Sequence, residues 1–425
     1  MNDAHEMDSV ADRRKFIGFV ILLLMCAGVV RFLLAEEYTG FISDQGLFVQ
    51  WMESVREYGL GGAFAANGNI NYPPLFLWVM GLYGDLLHAL GISTYAGAIS
   101  FKFLLILIDL AAVVLAVWLT AGISNYNWRS FILVLFALNP ALMTDSAVWG
   151  QVDMLHSMLM LLAMMWLSNR PFMSGVIFAL ALLTKFQAIT VLPVIGIWLL
   201  IVLVKERNFR PLLMWTIGFI TPWMAALSYF GAAGSLGIMI SQAYTDAVGF
   251  YISVTMNAMN IWFYIIGIAP GTNDTEILAA GVTMRNFGFG LLFISVIGIC
   301  LYVYRSREES TAVLLKASAA LCLAFFMLPT EIHERYSIPA LVFTVFVLLK
   351  DKRWVLPAGL LTLTVMMNLI IVLDNNVTAG TGVWIAIVNV FVLIWMHRLL
   401  WMGAGSGIAE SLPSLPALTN EAGEL

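Results

Sequence analysis

Phe16–Ala35 reads FIGFVILLLMCAGVVRFLLA and follows the basic triplet Arg13, Arg14 and Lys15. About 20 apolar residues is the length a helix needs to cross a hydrocarbon core. The run is too long for a typical signal-peptide core and lacks a small-residue cleavage site, so it is read as an uncleaved first span. Further apolar runs follow at 98–118, 130–143, 154–168, 172–184, 188–204, 211–229, 287–304, 312–328, 336–349, 354–373 and 382–400. Lipid forces each backbone amide into an internal hydrogen bond, and these runs lack the alternation of barrel strands. The expected fold is an all-α polytopic membrane protein with about 12 transmembrane helices and two large outer loops containing surface helices.

Composition agrees. Of 425 residues, 61% are hydrophobic and 11% charged, against ~45–50% and ~25% in soluble domains. The net charge of -5 is spread among loops and offers no basic face to a nucleic acid. Cys26, Cys300 and Cys322 all lie inside apolar runs, so neither a disulfide framework nor a cysteine metal site is expected.

Positive charge orients the spans. Arg129, Arg170, Lys205, Arg207, Arg210, Arg305, Arg307, Lys350, Lys352, Arg353 and Arg398 all fall on the side of the N-terminus, which places both termini in the cytoplasm. Keeping that agreement decides two ambiguous stretches. Leu75–Leu90 becomes an amphipathic helix along the outer surface, with Asp85 and His88 in its second half. Residues 231–286, apolar but broken by Gly, Asn and Asp, become an outer loop. The organisation is then a cytoplasmic N-terminus (1–15) and an N-terminal transmembrane catalytic module (16–230) that includes outer loop 36–97. The outer loop 231–286, a C-terminal transmembrane module (287–402) and a disordered cytoplasmic tail (403–425) follow. No internal repeat is evident.

Polar clusters other than the basic anchors gather on the outer side. Asp44 follows the first span and is suited to act as a base towards a sugar hydroxyl; the plainer reading is a cap for a helix over Gln45–Tyr58. Asn71-Tyr72-Pro73-Pro74 suits the start of the surface helix. Asn139-Pro140, Asp145-Ser146 and Trp149-Gly150-Gln151-Val152-Asp153 lie between two short runs, which sinks their turn into a recess. Asp153 and His156, one turn apart, have the spacing to share a metal, against a plainer reading of Asp153 as a cap. Lys185 with Gln187 lies close to hydrocarbon and suits an anionic partner or a snorkelling anchor. Lys102 and Asp109 share a helix face and are read as polar contacts within the bundle. His333-Glu334-Arg335-Tyr336 offers a guanidinium that grips phosphate oxygens, or else an interfacial ion pair. Asn257 to Trp262, with Asn260 between, supplies amides and an indole for a sugar or a surface helix.

In this order and on this one side, Asp44, Tyr72-Pro73-Pro74, Trp149-Gly150-Gln151 with Asp153, Lys185 with Gln187, Asn257–Trp262 and His333-Glu334-Arg335 resemble the C-type superfamily of integral membrane glycosyltransferases. The likeness runs over roughly residues 16–340 and is nearest to the dolichyl- and polyprenyl-phosphate-hexose glucosyl- and mannosyltransferases. The resemblance implies that Asp44 is the base on the acceptor hydroxyl. It also implies that Arg335, His333 and Lys185 stand at the donor phosphate. Asp145, Gln151 and Asp153 then shape the sugar site, with Gln187, Glu334, Tyr72, Asn257, Asn260 and Trp262 as further sugar or acceptor contacts. No cofactor is expected; some members hold a divalent metal through these acids, and the nearest likenesses do not.

The implied reaction is inverting transfer of a hexose, glucose or mannose, from a polyprenyl-phosphate carrier to a lipid-linked glycan or other acceptor. A soluble domain after the last span, usual in the oligosaccharyltransferase branch, is missing here, and compactness favours a bacterial plasma membrane with the site facing outward. Rival readings are a lipid-linked sugar transporter or flippase, a glycan polymerase or ligase, and a non-catalytic subunit. A transporter would place ionisable groups near the midplane and often show repeats.

Overall fold

The computed structural model describes residues 10–247 and 249–402; residues 1–9 of the expected cytoplasmic N-terminus and the expected tail at 403–425 lie outside them. The helices are α1 (Val10–Glu37), α2 (Ile42–Ala66), α3 (Pro74–Ala89), α4 (Ile99–Leu119), α5 (Tyr126–Ala137), α6 (Pro140–Met143), α7 (Asp153–Trp166) and α8 (Pro171–Thr184). They continue as α9 (Leu192–Lys205), α10 (Arg210–Ala232), α11 (Leu236–Ala243), α12 (Met284–Arg305), α13 (Ser310–Met327), α14 (Ile338–Val347), α15 (Val355–Leu373) and α16 (Ala379–Trp401). One small hairpin, β1 (Ile277–Ala279) with β2 (Val282–Thr283), interrupts the helical architecture.

Among the described residues, nine helical stretches are long and apolar enough to cross a membrane. This is a helical membrane protein. Three of the expected spans are shorter: 154–168 is α7 and 172–184 is α8, of 14 residues each, and 336–349 is α14, of ten. Burial explains α14. All ten of its residues are buried, as is nearly all of α13. A helix sheathed in protein need not match bilayer thickness, because no lipid touches its ends.

The expected span 130–143 runs on to Trp149 with a break at Pro140, which has no N–H to donate. Asn139 caps the restart: its side chain accepts from the backbone N–H groups of Ala141 and Leu142, and its amide donates to Thr362 (2.8 Å). A π-helical turn, Thr144–Trp149, completes the stretch.

The basic residues used for orientation meet at one end of the bundle. Arg129 stacks on Phe16 at 3.8 Å and Lys352 on Trp128 at 5.1 Å. Lys205 stacks on Tyr304 at 3.8 Å, Lys350 pairs with Glu309 at 2.7 Å, and Lys316 bridges Glu308 and Asp351. The polar clusters lie a helix length away, at the opposite end. The expected bundle contacts are present too. Lys102 donates to the carbonyls of Ala35 and Tyr38 at the C-terminal end of α1, where the helix dipole favours a cation. Asp109 pairs with Arg31 at 2.7 Å, both fully buried, and accepts from Ser146 at 2.6 Å.

Residues 36–97 fold as two packed helices. The expected surface helix is α3, launched at Pro74. Its buried face meets α2 through Gly81 against Val55 and Gly84 against Met52, while Trp78, Leu82 and Leu86 stay exposed. The second expected outer loop is different from a surface loop. Its segment around Met259 inserts between α15 and α16, where Asn368 accepts from Met259 N–H (3.0 Å) and donates to Asn257 C=O (2.9 Å). Asn389 donates to Met259 C=O at 2.9 Å. Asn389 lies ten residues into α16, about 15 Å from its start at 1.5 Å per residue. Irregular backbone at such depth persists only where protein groups satisfy it.

Candidate functional site

Asp44 sits in the first turn of α2 without capping it; that N-terminus has no side-chain cap. Its neighbour Gln45 fastens the turn, donating to the carbonyls of Thr39 and Trp149 (2.9 Å each) and accepting from Gly97 N–H (2.8 Å). Gly40 makes the approach possible. At φ 77° a side chain is strained, and a Cβ there would lie 1.9 Å from the carbonyl oxygen of Val148. Asp44 is thereby brought against the end of the π turn.

One carboxylate oxygen of Asp44, Oδ2, collects every contact. It accepts from Trp149 Nε1 at 3.1 Å and Gln151 Nε2 at 2.8 Å, and it pairs with Arg335 Nη1 at 3.3 Å. Among the described residues Oδ1 has no protein partner. Gln151 is held in turn by Tyr72, whose hydroxyl donates to its Oε1 at 3.3 Å. Gly150, at φ 91°, turns the chain so that Gly150 N–H and Gln151 N–H both close onto the Asp145 carbonyl.

Arg335 comes from the short 3-10 turn Glu334–Ser337, and the same Nη1 that meets Asp44 also pairs with Glu334 at 2.8 Å. Burial disfavours its charge, but Asp44 and Glu334 more than offset this and hold the guanidinium well above its usual value. Burial pushes the Glu334 carboxyl up against the opposing pull of Arg335. His333 is held well below the usual imidazole range, first by burial and then by the charges of Arg335 and Lys185. Its imidazole lies edge-on to Tyr251 at 4.7 Å, and it lines the cavity together with Arg335 and Lys185.

Lys185, at the end of α8, places its ammonium 2.5 Å from Asp153 and 5.4 Å from the ring centres of both Tyr72 and Tyr336. Asp153 is fully buried beneath it. His156 stands 3.7 Å from Asp153 with both ring nitrogens unpartnered. The Asp153–His156 metal pair is therefore not formed, because a lysine occupies the carboxylate. Among the described residues no group of three His, Cys, Asp or Glu side chains is placed to hold a metal. Lys185 holds Asp153, and Arg335 holds Asp44 and Glu334.

These groups surround a cavity of about 460 Å³. Asp44, Tyr72, Gln151, Lys185, Gln187, His333 and Arg335 line it. Asp145, Asp153 and Glu334 lie in the layer behind, buried. Asn257, Asn260 and Trp262 do not reach it. Asn260 donates to the Phe326 carbonyl (3.2 Å), Trp262 Nε1 to that of Leu328 (2.9 Å), and the backbone beside Asn257 bridges to His333. They brace the wall that carries His333 and Arg335 instead of offering contacts to a sugar.

Several lining residues had no signal in the sequence. Tyr251 and Gln242 fall in a stretch read only as loop. Glu331, at φ 65°, accepts from Gly249 N–H at 2.9 Å and pairs with Arg285 at 2.8 Å, tying the 249–251 segment over the cavity. An apolar sector of the lining, including Phe186, Ile189, Phe289 and Phe325, completes the enclosure.

The arrangement offers a carboxylate with one free oxygen, a permanent guanidinium and an ammonium within one partly apolar chamber. That equipment suits proton removal beside a bound anion. No protein-family model matches this sequence, and no curated protein matches it at a significant level.

Proposed function

We propose that the protein is an inverting glycosyltransferase that moves a hexose, glucose or mannose, from a polyprenyl-phosphate carrier to a lipid-linked glycan or related acceptor. The carrying observation is the convergence of Asp44, Arg335 and Lys185 on one cavity at the end opposite the basic residues. In this reading Asp44 Oδ1 takes the acceptor hydroxyl proton. The oxygen attacks the anomeric carbon as its bond to the carrier phosphate breaks, and the phosphate leaves on its lipid with Arg335 and Lys185 balancing its charge. Trp149 and Gln151 keep the carboxylate aimed, holding Oδ2 and leaving Oδ1 towards the cavity. The apolar sector suits a prenyl chain.

We further propose that α7, α8 and α14 also cross, making twelve passes with both termini cytoplasmic and the cavity facing outward across a bacterial plasma membrane. The buried Arg31–Asp109 pair favours the flippase alternative, because ionisable groups deep in a bundle often mark transport paths. Both of its members are engaged by protein groups.

Purified protein in nanodiscs, given polyprenyl-phosphate hexoses and a lipid-linked acceptor, decides between them. The expected result is donor consumption that falls about 10²–10⁴-fold in Asp44→Asn, as for loss of a general base. Arg335→Ala is expected to fall comparably. Donor that crosses a vesicle unhydrolysed, with Asp44→Asn as active as wild type, would overturn the reading in favour of a flippase.

A further inference from the structure

The cavity lining has two cationic side chains, Arg335 paired with Asp44 and Lys185 paired with Asp153, beside aromatic and aliphatic groups. The sector supplied by the turn after α2 and by the end of α11, which touch through Gln242 and Phe64, brings Asn69, Asn71, Gln242 and Asp246 to the lining, none of them cationic.

That sector is built. Asn67 folds the turn between α2 and α3, donating to Ser54 (3.1 Å) while its carbonyl accepts from Asn69 N–H (3.0 Å). Ile70, fully buried, and Tyr72 root the turn in the core. The side-chain amides of Asn69 and Asn71 are thereby presented at the cavity without a protein partner among the described residues. On the other side, Gln242 donates to the Phe64 carbonyl at 3.1 Å and brings α11 against the end of α2. One turn on, Ser241 and Thr245 donate to Asp246 and orient its carboxylate.

We infer that this sector is a separate subsite for a neutral saccharide, which on the hexosyl-transfer reading is the acceptor. Amides and a carboxylate complement vicinal hydroxyls, each of which donates and accepts at once. An anionic acceptor would meet Asp246 with no free cation to offset the repulsion. On the hexosyl-transfer reading the two cations of the lining, Arg335 and Lys185, are taken by the donor phosphate. The lining therefore divides the work: charge on the donor side, neutral hydrogen bonding on the acceptor side.

Saturation-transfer NMR on the full-length protein in nanodiscs tests this without requiring turnover. The probes are maltotriose, mannotriose and a trimer of a hexuronic acid. At least one neutral trisaccharide is expected to receive transfer from wild type and from Arg335→Ala, with the uronic trimer giving at least fivefold less. Transfer should fall at least fivefold in Asn71→Ala/Asp246→Ala, with Asn71→Gln in the single background restoring most of the signal and elution on size exclusion unchanged. Undiminished transfer in the double variant, preference for the uronic trimer, or no neutral transfer to wild type would each overturn the subsite. If neutral binding behaves as expected while no polyprenyl-phosphate hexose is consumed, the hexosyl-transfer reading fails and the saccharide subsite stands.

Discussion

Trp149 and Gln151 reach a single oxygen of Asp44 from 105 and 107 residues away in sequence. The carboxylate is positioned by an indole and an amide that have no charge of their own. Replacing Gln151 by Leu removes one charge-assisted donor, worth ~1.5–3 kcal/mol, and is expected to lower the transfer rate about tenfold or more. Steady-state rates against donor and acceptor check it, with the loss expected in kcat. His333 gives a pH test. Its folded-state pKa is depressed, so the unfolded chain binds the extra proton; the stability from keeping it neutral is present above the unfolded value of 6.5 and lost as pH falls below it. Wild type should lose more thermal stability than His333→Gln on going from about pH 7.5 to about pH 5.5. Equal losses in melting experiments on both proteins would contradict this. At this scale Asp44, Gln151, Lys185 and Arg335 were legible because a polar side chain stands out in an apolar chain. Asn257, Asn260 and Trp262 stood out equally and do not line the cavity. An amide that satisfies a buried carbonyl and one that meets a sugar are the same residue in a sequence.

Helix contacts carry the next level. α8 and α10 touch backbone to backbone: a Cβ on Gly218 would lie 2.0 Å from the Phe172 carbonyl oxygen, and one on Gly175 2.2 Å from that of Trp215. Small residues permit such approach in membranes. Gly218→Ala should therefore destabilise by ~1–3 kcal/mol through overpacking, read as a lowered melting temperature in nanodiscs. The Arg31–Asp109 pair binds α1 to α4, and through Ser146 to the π turn that delivers Trp149. Removing one partner of a buried pair costs ~3–5 kcal/mol, because the other charge is stranded. Arg31→Leu and Asp109→Leu should each be strongly destabilised, with the double variant recovering much of the loss. A double-mutant cycle with no coupling would refute the account. Long spans were legible here because lipid exposure demands about 20 apolar residues. The expected 336–349 was too long for α14, since that helix is enclosed by protein and hydropathy does not report what encloses a helix.

Sidedness belongs to the whole molecule. The basic loops meet one another at one end through contacts such as Lys350–Glu309 and Lys205–Tyr304, and the cavity opens at the other. In a background with Cys26, Cys300 and Cys322 replaced by Ala, a membrane-impermeant maleimide added to intact cells should label Asn69→Cys and spare Ser306→Cys. The reverse pattern would invert the proposed orientation. Sequence by itself determined that the chain is helical and membrane-embedded, because hydropathy and backbone hydrogen bonding in lipid allow little else. It also separated basic from polar loops, because charge is read directly from residue type. Only the tertiary structure decided which polar groups share a chamber. Asp44 meets Arg335 because Gly40 admits a carbonyl, because a π turn delivers Trp149, and because an inserted segment braces His333. Each of these is a close approach between distant residues, set by packing rather than by local pattern.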